Sequence, residues 1–114
     1  EITMARALIT VPPTAKRNQI IEIRALIQHP METGYRRSSE GAMLARDLIR
    51  RFTCTFEENG GKSEIIFSAK LFAAIAANPY LAFHTVATAS GTFVFNWGGD
   101  NGFEQTERVA LKVL

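Results

Sequence analysis

Apolar and polar residues alternate with a period of two along most of this chain. Ala7, Ile9 and Val11 alternate with Arg6 and Thr10 until Pro12-Pro13 ends the run. Ile21, Ile23, Ala25 and Ile27 share one face, opposite Glu22, Arg24 and Gln28. Leu48, Phe52, Cys54 and Phe56 fall together, opposite Arg51, Thr53, Thr55 and Glu57. Asn59-Gly60-Gly61 is a turn signal, after which Ile65, Phe67, Ala69 and Leu71 lie on one face. Side chains of a strand point alternately to its two sides, so each run predicts a half-buried strand, and the third and fourth form the clearest hairpin.

The stretch Leu71 to Ala77 is different: it is alanine-rich, carries one β-branched residue (Ile75), and stops at Asn78-Pro79. It predicts one or two helical turns crossing between sheets. Strands resume over Ala82 to Thr88, again with Phe93, Phe95 and Trp97 on one face, and finally from Gln105 to Val113, burying Val109, Leu111 and Val113. Ser90-Gly91 and Gly98-Gly99-Asp100-Asn101-Gly102 separate them. About seven short strands with one short helical crossing predict an all-β chain, an immunoglobulin-like antiparallel β-sandwich. Its expected core is Ile21, Ile23, Ile27, Phe52, Cys54, Phe56, Phe67, Phe93, Phe95 and Val109. At 114 residues there is room for one such core, so residues 4–114 read as a single domain, with Glu1 to Thr3 as an addition ahead of a natural start at Met4.

Composition removes several function classes. A net charge of +2 is too small to argue for nucleic-acid binding. Arg36, Arg37, Arg46, Arg50 and Arg51 crowd into a short stretch, opposed there by Glu40 and Asp47, and read first as a solvated surface. No run approaches the ~18 apolar residues of a membrane span, and the start lacks the basic and apolar regions of a signal peptide. One cysteine forms no internal disulfide.

Cysteine and histidine on a β-sandwich invite a copper reading, which needs two His and a Cys converging on the metal. The spacing argues against it: Cys54 is followed by Thr55, Phe56 and Glu57, with no His until His84. Cys54 shares a face with Phe52 and Phe56 and reads as a buried, unreactive thiol. His84 falls mid-strand beside Ala82 and Val86. His29 is better placed for function, at a strand end before Pro30. It opens about eighteen residues with little apolar periodicity, containing Met31, Tyr35, Arg36 and Arg37. Loops of that length are more often functional or disordered than neutral connectors. Tyr35 offers a rigid contact, Met31 an adaptable one, and the arginines suit carboxylates or oxyanions. No catalytic triad, phosphate loop or placeable carboxylate pair accompanies them, so the residues read as a binding module, not an enzyme.

His29-Pro-Met-Glu-Thr-Gly-Tyr-Arg36 resembles the hallmark segment of the SoxZ family of bacterial thiosulfate oxidation. Ala5 to Ile9, Val11-Pro12 with Thr14-Ala15-Lys16, and Ile49 to Cys54 agree in order. So do Leu71-Phe72, Ile75 to Leu81, Thr85 to Thr88, Ser90 to Thr92, Trp97 and Gly102-Phe103. The resemblance implies an immunoglobulin-like sandwich that pairs with SoxY, whose flexible Gly-Gly-Cys-Gly-Gly arm carries sulfur intermediates covalently. It implies transient partners that attach, hydrolyse and oxidise those intermediates: a cytochrome complex, a hydrolase and a sulfur dehydrogenase. It further implies export to the periplasm with the carrier, and neither catalytic residues, cofactor, nucleic acid nor membrane as partners of this subunit. This chain ends at Lys112-Val113-Leu114 without the carrier motif. His29, Met31, Tyr35, Arg36 and Arg37 are the candidate partner-recognition residues. The alternative is a stand-alone sandwich metal or thiol protein using His29 and Cys54.

Overall fold

The alternating runs become strands whose apolar sides face one another across two sheets. The computed structural model describes residues 6–28, 48–71 and 79–114. In chain order the strands are β1 (Arg6–Thr10), β2 (Thr14–Ala15), β3 (Gln19–Gln28), β4 (Ile49–Glu58), β5 (Ser63–Lys70), β6 (Tyr80–Ala87), β7 (Gly91–Gly99) and β8 (Glu104–Val113). A smaller sheet has the order β1-β3-β6 and a larger one β2-β8-β7-β4-β5. Except for β2 with β8, all neighbours are antiparallel. The chain is thus a two-sheet, immunoglobulin-like sandwich.

The eighth strand, β2, was not expected, and the prolines explain it. Pro12 and Pro13 have no N–H to give a ladder, so the chain leaves the smaller sheet there and joins the larger. Lys112 N–H donates to the Pro13 carbonyl (3.0 Å) and Leu114 N–H to that of Ala15 (2.9 Å), pairing β2 parallel to β8 for two residues. Asn18, at φ +67°, then turns the chain into β3.

The β4–β5 hairpin forms where Asn59-Gly60 predicts it. Gly60 takes φ +67°, a left-handed conformation that costs glycine little, and Gly61 N–H donates to the Glu58 carbonyl (3.1 Å). Its register corrects one expectation. Cys54 pairs with Phe67 but Thr55 with Ile65, leaving Ile66 as the extra residue of a bulge. A bulge resets which side each residue faces. Ile66 therefore packs against the core and Ile65 is exposed, although the alternation grouped Ile65 with Phe67.

Eight of the ten expected core residues are buried, and Phe67 and Val109 pack partly buried against them. Leu48, Ile49, Phe83, Ala87, Trp97 and Leu111 are buried as well. Phe52 is the aromatic hub, its ring centroid 5.2 Å from Trp97, 6.2 Å from Phe95 and 6.4 Å from Phe83. Phe67 of β5 stacks on Phe83 of β6 at 4.4 Å, joining the two sheets along one side of the sandwich. Leu71 is buried just after β5. The remainder of the expected helical crossing, from Phe72 to Ala77, lies outside the described residues.

Candidate functional site

The five candidate recognition residues, His29, Met31, Tyr35, Arg36 and Arg37, lie outside the described residues, as does Arg46. The structure does describe the start of β4, the next described residues in the chain. Asp100 sits in a 3-10 turn, Asp100–Gly102, and holds that point from three directions. Its carboxylate accepts from Leu48 N–H (3.2 Å) and from Arg50 Nε (2.7 Å), and its own N–H donates to the Leu48 carbonyl (2.9 Å). Gly99 permits this closeness, because a Cβ there would run into the Leu48 carbonyl oxygen. Arg50, one of the clustered arginines, therefore has a structural task. Arg51 remains exposed, 3.8 Å from Glu104.

Cys54 has none of its surface exposed. It lies in register with Phe67 on one side and Phe95 on the other. Burial pushes its pKa up from 9.0 to about 12, because a thiolate there would lose its hydration. The thiol stays protonated at neutral pH and lacks the electropositive, open surroundings of a reactive cysteine. Among the described residues, no three His, Cys, Asp or Glu side chains gather as a metal would require. His84 is on the surface, its Nε2 3.7 Å from the Glu22 carboxylate.

What the structure brings together is an apolar outer face on the smaller sheet. The cross-strand registers place Leu8 beside Leu26 and Leu26 beside Tyr80, giving one apolar row across all three strands. Ile20 and Val86 form another near the far end of β3 and β6. Leu8, Ile20, Tyr80 and Val86 are 53%, 67%, 57% and 47% exposed, values that place four large apolar side chains on one open surface. Between the rows run Glu22, Arg24 and His84. Arg24 Nε donates to Glu22 (2.6 Å), and that hydrogen bond, then the Glu22 charge, raises the Arg24 pKa. At the Val86 end a cavity of about 380 Å³ opens between the sheets, lined chiefly by Phe56, Ile66, Thr85, Val86, Phe93 and Leu111, with Glu64 also in its wall.

The period-two reading did not single out this face, yet its signal is in the sequence. Leu8, Ile20 and Leu26 are apolar residues at positions where the alternation calls for polar ones, and Val86 repeats the pattern in β6. A surface patch of large apolar side chains on a folded domain commonly marks an association site.

Fold and face together define a two-sheet, immunoglobulin-like sandwich with an open apolar surface on its smaller sheet. A model of the SoxZ family (Sulphur oxidation protein SoxZ) matches residues 9–110. The chain belongs to the SoxZ family, and so to the Sox sulfur-oxidation system. No curated protein matches it. Among solved structures it is similar to the superoxide reductase (neelaredoxin) from Ignicoccus hospitalis, with a TM-score of 0.76 and 19% identity over 95% of this chain and 80% of that one. It is similar to the sulfur carrier protein SoxY from Chlorobium limicola f thiosulfatophilum, with a TM-score of 0.66 and 12% identity over 95% and 78% of the two chains. A neelaredoxin from Archaeoglobus fulgidus follows at a TM-score of 0.64 and 14% identity, over 95% and 88%. At these identities the likeness is one of fold.

Proposed function

We propose that this chain is the non-carrying, non-catalytic subunit of a SoxYZ-type heterodimer, which supports the carrier subunit and presents it to the enzymes that process its bound sulfur. The observation that carries the reading is the family match over residues 9–110. The fold shared with a SoxY supports it, as does the open apolar face, since a sheet surface of that kind is a liability unless a partner covers it. Cys54 supports the division of labour: a thiol that is buried and held protonated is unsuited to accepting sulfur intermediates. The carrying cysteine then belongs to the partner, and the pair works in the periplasm after export together. The segment bearing His29, Met31, Tyr35, Arg36 and Arg37 serves recognition of the carrier arm or of the cytochrome, hydrolase or dehydrogenase that act on it.

The test is turnover of thiosulfate by a reconstituted system with mass spectrometry of both subunits. Sulfur adducts are expected on the partner and none on this chain, with turnover depending on both. A thiosulfonate or persulfide on Cys54 during turnover refutes the assignment.

A further inference from the structure

We propose that the outer face of the β1-β3-β6 sheet is the surface on which the carrier subunit docks, with the cavity beside Val86 receiving an apolar anchor side chain from that subunit. This rests on the heterodimer reading above and adds to it a place on the molecule. Three observations lead there.

The first is the contrast between the two sheets. The outer face of the larger sheet is mostly polar, with Val94 and the bulge-exposed Ile65 as apolar exceptions, and its polar groups pair: Asn96 donates to Thr106 (2.9 Å) and Arg108 pairs with Glu57 (3.1 Å). The outer face of the smaller sheet breaks the alternation with Leu8, Ile20, Leu26, Tyr80 and Val86. The second is shape and size. A flat sheet face is covered best by another sheet, the packing that builds sandwiches, and SoxY has the fold that supplies one. β3 and β6 pair from Gln19 with Ala87 to Leu26 with Tyr80. At about 3.4 Å per residue and 4.8 Å between strands, the three-stranded face covers roughly 400 Å² in projection, and more in accessible area over its side chains. That approaches the roughly 600 Å² each partner contributes to the smallest stable interfaces. The third is continuity. Val86 stands on the face, and the cavity lies beneath it between the edge strands β6 and β5, so a subunit on the face that wraps the free edge of β6 reaches both. Buried anchors in pockets, ringed by contacts that exclude water, hold most of the binding energy of such interfaces. Glu22 and Arg24 are already hydrogen-bonded to each other, which lowers the cost of covering the charged band between the apolar rows.

The experiment measures affinity of the full-length chain for its carrier subunit by titration calorimetry, with folding checked by thermal melting. Val86→Glu and Tyr80→Glu on the smaller sheet are expected to weaken binding at least 30-fold, and Ile65→Glu on the larger sheet less than threefold. Should Val86→Glu melt early, Tyr80→Glu decides, together with hydroxyl-radical footprinting of the wild-type complex, in which Tyr80 becomes protected. Wild-type binding with both face variants within threefold of it, or Tyr80 unprotected, overturns the docking site and leaves the heterodimer standing. Face variants that dissolve self-association while carrier binding stays unmoved assign the face to contacts between copies and also overturn the proposal. A wild-type chain that never binds the carrier overturns the heterodimer reading itself.

Discussion

The two outer surfaces of this sandwich are built from the same kind of strand and carry opposite instructions. On the larger sheet the outward positions are mostly polar, Thr53, Thr55, Asn96, Thr106 and Arg108, with Asn96 bonded to Thr106 and Arg108 to Glu57, and only Val94 and Ile65 depart from this among the described residues of β4, β5 and β7. On the smaller sheet, leucine, isoleucine, tyrosine and valine occupy the corresponding outward positions. The larger sheet sends six aromatics inward and the smaller mainly aliphatics with Phe83, but both inner faces are apolar, so core demand does not explain the outer difference. The docking proposal accounts for it by what each surface would meet: water on one side, the carrier subunit on the other. A β-sheet can therefore be apolar on both faces when only one of them is a core.

The sharpest way to separate core from docking surface is to truncate one residue of each. Phe95→Ala, inside the sandwich and in contact with Phe52, Phe93 and Trp97, should cost about 3–5 kcal/mol in urea unfolding. Tyr80→Ser on the open face should stay within about 0.5 kcal/mol. Equal costs at the two positions would erase the distinction.

The buried thiol gives a second, pH-resolved measure of the core. The folded-state pKa of Cys54 lies near 12, against 9.0 for the free group. Between those values the unfolded chain has lost its proton and the folded one retains it, so rising pH favours unfolding. Stability should fall by roughly 1.4 kcal/mol per pH unit from about pH 9 to 12 because of this group. Cys54→Ala should remove that share of the alkaline slope, and thiol reagents should label wild-type Cys54 only as fast as the chain unfolds. Rapid labelling under native conditions contradicts the burial argument.

Asp100→Ala tests the hold on β4 where it begins. It removes acceptors from Leu48 N–H and the Arg50 guanidinium, and should cost about 1–3 kcal/mol. Hydrogen exchange should quicken first at the start of β4 while β3 and β6 keep their protection. A loss spread evenly over both sheets contradicts an anchoring role.

The smallest expected effect on stability concerns the recognition segment. Arg36→Glu with Arg37→Glu should leave the melting temperature nearly unchanged and slow turnover with a processing enzyme, most strongly at low salt where charge pairing is least screened. Kinetics that do not change at any salt concentration count against recognition by these arginines.

The sandwich was legible in the sequence because the inward positions of most long strands keep a period of two. The parts that were not legible have local causes. The Ile65–Ile66 bulge is set by the hairpin register, which the alternation cannot see. β2 is too short for periodicity to show, and it exists because paired prolines push the chain onto the other sheet. The apolar outer face leaves only scattered signs in the sequence, apolar residues such as Leu8, Ile20, Leu26 and Val86 at positions where the alternation calls for polar ones. The row from Leu8 through Leu26 to Tyr80 needed the registers of three strands distant in sequence. The five recognition candidates came from a sequence string alone and lie outside the described residues.

The proposal stands or falls on association of this SoxZ-family sandwich with a carrier subunit. Sedimentation velocity of this chain with its SoxY-type partner at micromolar concentration measures that directly. A single one-to-one boundary is expected with the partner present, and self-association or poor solubility without it. A stable monomer that sediments independently of the partner would contradict it.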